Sequence, residues 1–293
     1  MYRACAALLL CLLAAAQGPG AFAADTPSVD YMFHEVIGAE GLPLNVVEVG
    51  NPQGIPVVFL HGFSQSYLSW VAQLDDPDLQ RSFRMIALDL RGHGASGKPW
   101  DPQAYAGHEP WADDLTRVMD TLGIVRPWLV GWSFGGFVAL DYVREHGEQA
   151  VSGLVFTGSH GGLIARPVGA AATITNDLQE AITGAHHFMR LMGATPLPDE
   201  VREAGAFSRV MLPPYARRAM TAKRFDNTDL LERLSLPLRL IMGEADGSMP
   251  LEPIRSAVAH KRNIEISVYP SVGHSPFIEA RERFNSELRD VIK

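Results

Sequence analysis

The run Gly131-Trp132-Ser133-Phe134-Gly135-Gly136 sets a hydroxyl where the chain can be forced to present it. It comes directly after the apolar stretch 128–130 and leads directly into a helical pattern over 134–142. A serine on so sharp a strand-to-helix turn occupies strained backbone. Glycines two positions to either side let the chain pack there while the hydroxyl stands clear. The helix that follows aims its N-terminal dipole and free N–H groups at any negative charge developing beside the serine. Nucleophilic attack on a carbonyl is the chemistry this suits.

A serine hydroxyl needs a base, and the base needs a carboxylate to orient it. Among ten histidines, His274 is best placed, in Gly273-His274-Ser275-Pro276-Phe277 between the strand-like run Ile264–Tyr269 and the last helical pattern. Asp246 lies in Gly243-Glu244-Ala245-Asp246-Gly247-Ser248-Met249-Pro250, the loop after the run 238–242. Glu244 stands in the same turn as the competing acid. The three groups follow strands in the order Ser, Asp, His. In a parallel sheet such carboxyl-end loops share one edge, where open α/β sheets bind ligands.

The elements that must position them read as follows. Strand-like runs occur at 44–49, 57–60, 85–88, 128–130, 154–157, 238–242 and 264–269, several of them continuously apolar as in strands buried on both faces. Trp111, Leu115, Val118, Met119 and Leu122 fall on one face of a helix that Gly123 ends. A last helix is expected over 278–292. Alternation of this kind predicts an α/β fold with a mostly parallel sheet flanked by helices. Residues 159–235 break the rhythm with Gly161, Gly162, five prolines and helix-like stretches. That is too long for a simple loop, so an inserted helical cap is expected there, between core segments 24–158 and 236–293.

Residues 1–23 have a logic of their own. Arg3, an apolar run over 4–16, a Gly/Pro break and small residues at Ala21 and Ala23 make the pattern of a secretory signal peptide, cut after Ala23. The expectation is an exported protein, periplasmic or secreted, with no integral membrane association once the segment is removed. Both cysteines, Cys5 and Cys11, leave with it, which removes thiol and disulfide chemistry. Lys and Arg number 25 against 33 Asp and Glu, a net charge of −8 with no long basic run, and this argues against a nucleic-acid partner. Nothing in the sequence reports oligomeric state.

Other motifs fall away on inspection. Gly92 to Lys98 approaches a phosphate-binding loop, but Pro99 stands where Ser or Thr should hold magnesium. The side chains of His186 and His187 diverge on a helix, and no metal-ligand spacing occurs, so neither metal nor cofactor is expected.

The chain resembles the α/β-hydrolase family. His61-Gly62-Phe63 after the run 57–60 resembles the family's oxyanion loop, and Asp89-Leu90-Arg91-Gly92-His93-Gly94-Ala95-Ser96 its structural turn after the next strand. The serine turn and the Asp246/His274 pair complete the likeness, which extends from about residue 34 to 292. It implies that the backbone N–H groups of Phe63 and Phe134 form an oxyanion hole and that His61 braces its loop. Dehalogenases and epoxide hydrolases of this fold carry Asp at the turn, so Ser133 argues against them. The elbow and the Gly273–Phe277 motif resemble small esterases, cofactor-free haloperoxidases (perhydrolases) and serine-type acyl-homoserine-lactone hydrolases. A carboxylic ester or lactone of a small, hydrophobic molecule is therefore the expected substrate, with Trp132, Phe188, Met189 and Met192 expected in the pocket. Perhydrolysis is the first alternative. Aminopeptidase or amidase activity would call on Glu180, Asp199, Glu200 and Glu203 to hold an amine, and a binding or docking module on the same fold is the non-enzymatic reading.

Overall fold

The computed structural model describes residues 30–164, 174–221, 223 and 225–293. The expected signal segment lies outside the described residues, as do positions 165–173 of the expected cap. An eight-stranded sheet runs through the molecule in the order β1-β2-β4-β3-β5-β6-β7-β8. Its strands are β1 (Met32–Ile37), β2 (Pro43–Gly50), β3 (Ile55–Leu60), β4 (Phe83–Leu88), β5 (Trp128–Trp132), β6 (Gly153–Thr157), β7 (Leu238–Gly243) and β8 (Ile264–Tyr269). β2 pairs antiparallel with both β1 and β4, and all other neighbours are parallel.

The central strands are apolar throughout because helices cover both faces. Along β3, Val58 and Leu60 enter one core with Ile86, Leu129 and Phe156, while Val57 and Phe59 enter the other with Met85, Val130 and Val155. The first core is closed by α3 (Glu109–Leu122) and α4 (Phe134–His146), which pack on each other. α3 buries Trp111, Leu115, Val118 and Met119 as its spacing predicts, and Gly123 ends it at φ 63°. The second core is closed by α1 (Val71–Leu74), α2 (Pro77–Ser82) and, from the C-terminus, α10 (Pro276–Glu279) and α11 (Arg281–Val291). Between β6 and β7 lie α5 (Leu178–Arg190), α6 (Asp199–Met211), α7 (Pro214–Met220) and α8 (Thr228–Arg233), and α9 (Leu251–Val258) follows β7.

Two elements differ from expectation. β1 has no counterpart among the strand-like runs. It is an edge strand with four exposed residues of six, so it never needed an apolar run. The last helix is broken: Ala280 leaves helical backbone at φ −131°, ψ 48°. Glu279, just before the break, accepts hydrogen bonds from the N–H groups of Gly273 and Ser275 and so ties α10 to the loop carrying His274.

Candidate active site

Ser133 is the joint between β5 and α4, at φ 49° and ψ −109°. This positive φ costs a non-glycine residue about 1–3 kcal/mol and persists only where the surroundings over-determine it. They do so here. The Ser133 N–H donates to Thr157 O at 3.0 Å and its carbonyl accepts from Ser159 Oγ at 2.7 Å. Glycine is needed on either side for space. A Cβ on Gly135 would meet Leu60 O at 2.1 Å, and one on Gly131 would meet Gly136 N at 2.6 Å.

His274 comes to the same edge from the far end of the sheet. Trp132 Nε1 donates to His274 O at 2.9 Å, and a Cβ on Gly158 would stand 2.7 Å from the same oxygen. Ser133 and His274 thus flank the turn after β6. Among the described residues no hydrogen bond joins Ser133 Oγ to His274; such bonds are often long and tighten once substrate is engaged.

Asp246, and not Glu244, is the acid that meets the histidine. Its Oδ2 lies 2.6 Å from His274 Nδ1, whereas Glu244 is exposed. Asp246 Oδ1 accepts from Ser248 N at 2.9 Å and from Ser248 Oγ at 2.6 Å, and that hydroxyl is also 3.1 Å from His274 Nδ1. Burial pushes the Asp246 carboxyl up. The bonds from His274 and Ser248 outweigh it, and the carboxyl is held below its ordinary range. A buried carboxylate that stays ionised at Nδ1 leaves Nε2 as the basic nitrogen. Ser248 escaped the sequence reading; the Asp-x-Ser spacing of a side-chain-capped turn was its only trace.

The loop after β3 is anchored by His61, whose Nδ1 meets Gly62 O at 2.8 Å while its Nε2 accepts from Leu90 N at 3.0 Å. With Nε2 accepting, the proton sits on Nδ1 and the ring is neutral. Burial lowers its pKa further, against the pull of Asp89. His93 packs on it with ring centroids 4.9 Å apart, and burial together with that neighbour holds His93 well below the ordinary histidine range. Among the described residues the N–H groups of Phe63 and Phe134 have no partner, the latter because a helix cannot satisfy its first N–H. Their rings are 5.9 Å apart.

Trp132 and Met189 line a narrow cleft between the loop after β3 and α5–α6; Phe188 and Met192 do not. Met192 is buried in the second core, and Phe188 lies under the Arg209 guanidinium at 4.2 Å. Glu180, Asp199, Glu200 and Glu203 are exposed and outside that cleft. His186 faces Glu203 at 4.0 Å, and His187 lies 3.4 Å from Arg190. Among the described residues no three His, Cys, Asp or Glu side chains are grouped to hold a metal, and no helix is long and apolar enough to cross a membrane.

Comparison with known proteins gives consistent matches. The family profile described as alpha/beta hydrolase fold matches residues 55–188. A solved structure of a putative aryl esterase from Burkholderia cenocepacia is 33% identical, with a TM-score of 0.81, over 88% of this chain and 97% of that one. A non-heme haloperoxidase of Rhodococcus erythropolis is 28% identical over 82% of this chain and 93% of its own length. The bifunctional esterase/perhydrolase DCH of Acinetobacter calcoaceticus is 27% identical over 83% and 93%.

Proposed function

This chain belongs to the α/β-hydrolase superfamily, and from that premise we propose that it is a serine hydrolase cleaving a carboxylic ester or lactone of a small, mainly hydrophobic substrate. One observation carries the reading: Ser133, held at positive φ on the elbow, shares a sheet edge with a buried His274–Asp246 pair at 2.6 Å. In the proposed cycle Nε2 of His274 takes the Ser133 proton as Oγ attacks the carbonyl carbon. Asp246 steadies the imidazolium at Nδ1. The tetrahedral oxyanion rests on the N–H groups of Phe63 and Phe134, preorganised donors of a kind each worth roughly 3–4 kcal/mol of barrier. His274 then protonates the leaving oxygen, and water, deprotonated by the same nitrogen, releases the acid and restores the serine.

The esterase names among the relatives support hydrolysis of an ester. The haloperoxidase and perhydrolase names support a second reading, in which hydrogen peroxide replaces water at the acyl-enzyme and the product is a peracid. Proton release in a pH-stat tests the first, on short- and long-chain esters and lactones, with Ser133→Ala alongside. Release by wild type alone is expected. Equal release by Ser133→Ala would overturn the mechanism. Peracid formed from the same esters with added peroxide would establish the second activity on the same serine.

A further inference from the structure

The loop that presents the Phe63 N–H is held from two directions. Toward the core, His61 and Gly62 fix its start: a Cβ on Gly62 would meet the Trp132 ring at 2.9 Å. Toward the helices above, its end is fixed by two side chains with no counterpart in the proposed chemistry. Gln65 is only 2% exposed, and its Nε2 donates to Gly205 O on α6 at 3.4 Å and to Met189 Sδ on α5 at 3.7 Å. Ser66 Oγ lies 2.9 Å from Ser208 Oγ on α6. Because Ser208 Oγ donates to Ala204 O at 2.9 Å, Ser66 is the donor in that pair.

The intervening turn is tight. Gln65 N–H donates to Gly62 O at 3.1 Å, and Ser64 sits at φ 62°. Phe63 is inside this turn, so a displacement of Gln65 reorients the Phe63 peptide plane. α5 and α6 are themselves locked at the contact point, where a Cβ on Gly205 would meet Met189 Cε at 2.4 Å and Gln65 Oε1 at 3.0 Å. The cleft that runs past Trp132 opens against these same side chains.

We propose that Gln65, seconded by Ser66 and Ser208, is a positioning residue that couples α5–α6 to the oxyanion loop and aims the Phe63 N–H. It rests on the serine-hydrolase reading. Its effect falls on the step at which charge develops on the carbonyl oxygen, and therefore on kcat rather than KM. A donor misplaced by about 1 Å costs on the order of 10²-fold.

The test uses full-length wild type, Gln65→Met, which keeps the volume and removes the amide, and Ser208→Ala, which cuts the second arm from α6. Three quantities are read: kcat and KM on the best ester, the rate at which a fluorophosphonate labels Ser133, and hydrogen exchange over 61–68. Expected for Gln65→Met is a 10- to 100-fold loss of kcat with KM within about threefold, slower labelling, and faster exchange in 61–68 with α4 unchanged. Ser208→Ala should shift all three in the same direction by less. If Gln65→Met fails to fold, Ser208→Ala and the double change Ser66→Ala/Ser208→Ala carry the same expectation. Unchanged kcat or unchanged exchange overturns the proposal, and so does a rise in KM alone, which would make Gln65 a substrate contact. A wild type that neither turns over esters nor labels fells the hydrolase reading first and this proposal with it. An active wild type with indifferent variants fells this proposal only.

Discussion

At the scale of single residues, the Asp246–His274 contact would, in the proposed mechanism, divide the work between orientation and charge. With a carboxylate at Nδ1 the imidazole must carry its proton there, leaving Nε2 free to accept. Asp246→Asn keeps the shape but offers an amide N–H to Nδ1, so the other tautomer wins. We expect kcat to fall by roughly 10³–10⁴-fold with little change in KM and no loss of folded protein by circular dichroism. Ser248→Ala removes one of the two donors at Asp246 Oδ1 and should cost about tenfold in kcat. An Asp246→Asn protein within tenfold of wild type would assign the orienting role elsewhere. The sequence displayed these positions unevenly. Ser133 and His274 each sit in a glycine-marked loop beside an apolar strand, a local signature. Asp246 and Glu244 share one turn, and only the folding of that turn, with Ala245 N–H bonded to Val272 O at 2.9 Å, decides which carboxylate faces inward. The loop closure that brings Ser248 Oγ to both partners leaves no signature beyond its spacing.

At the scale of elements, the elbow is a packing problem before it is a chemical one. β5 can pass into α4 beside β3 only if position 135 lacks a side chain, because Leu60 O occupies the space at 2.1 Å and backbone cannot yield as a flexible side chain does. Gly135→Ala should therefore lower stability by about 2–4 kcal/mol and abolish turnover together. Gly123→Ala, at φ 63° with open space around it, meets only the left-handed backbone penalty of roughly 1–2 kcal/mol and should leave kcat alone. Urea unfolding of both variants checks the order; a Gly123→Ala protein the less stable of the two would reverse it. The same physics explains which elements could be read in advance. β2 to β7 announced themselves because two cores demand apolar residues on both faces of those strands, while β8, at the far edge, shows itself through Ile264 in one core and Tyr269 in the other. β1 pairs only with β2, exposes Phe33 and Ile37 and gives Val36 alone to a core, so its sequence carries no apolar run. The break at Ala280 was invisible for another reason: it is dictated by Glu279 reaching the His274 loop, a tertiary contact that periodicity does not record.

At the scale of the whole molecule, the cost of building the loop after β3 around buried imidazoles appears as a pH dependence of folding. His61 and His93 are fully buried, and burial depresses both below the ordinary value of 6.5. An unfolded chain protonates them near 6.5, whereas the folded chain resists until lower pH. Between those limits the unfolded state binds more protons, so stability is complete above about 6.5 and is lost as pH falls. Each histidine contributes a slope of at most about 1.4 kcal/mol per pH unit, and the pair at most about 2.7. Asp246, Asp76 and Asp229 are held below their ordinary 3.8, so their share is lost only as pH falls below about that value. Asp114 is raised by burial despite its bonds to Arg91 and opposes the slope just above 3.8. The clean quantity is therefore a difference. His93→Phe removes one imidazole whose Nε2 has no partner and whose ring packs on His61, Phe63 and Phe134. Whatever that change does to stability at pH 7.5, urea unfolding between pH 7.5 and 5 should show its curve flatter than wild type by up to about 1.4 kcal/mol per pH unit. Parallel curves would mean that His93 takes up its proton in the folded protein as readily as in the unfolded chain, and that the wall behind Phe63 and Phe134 tolerates a charge.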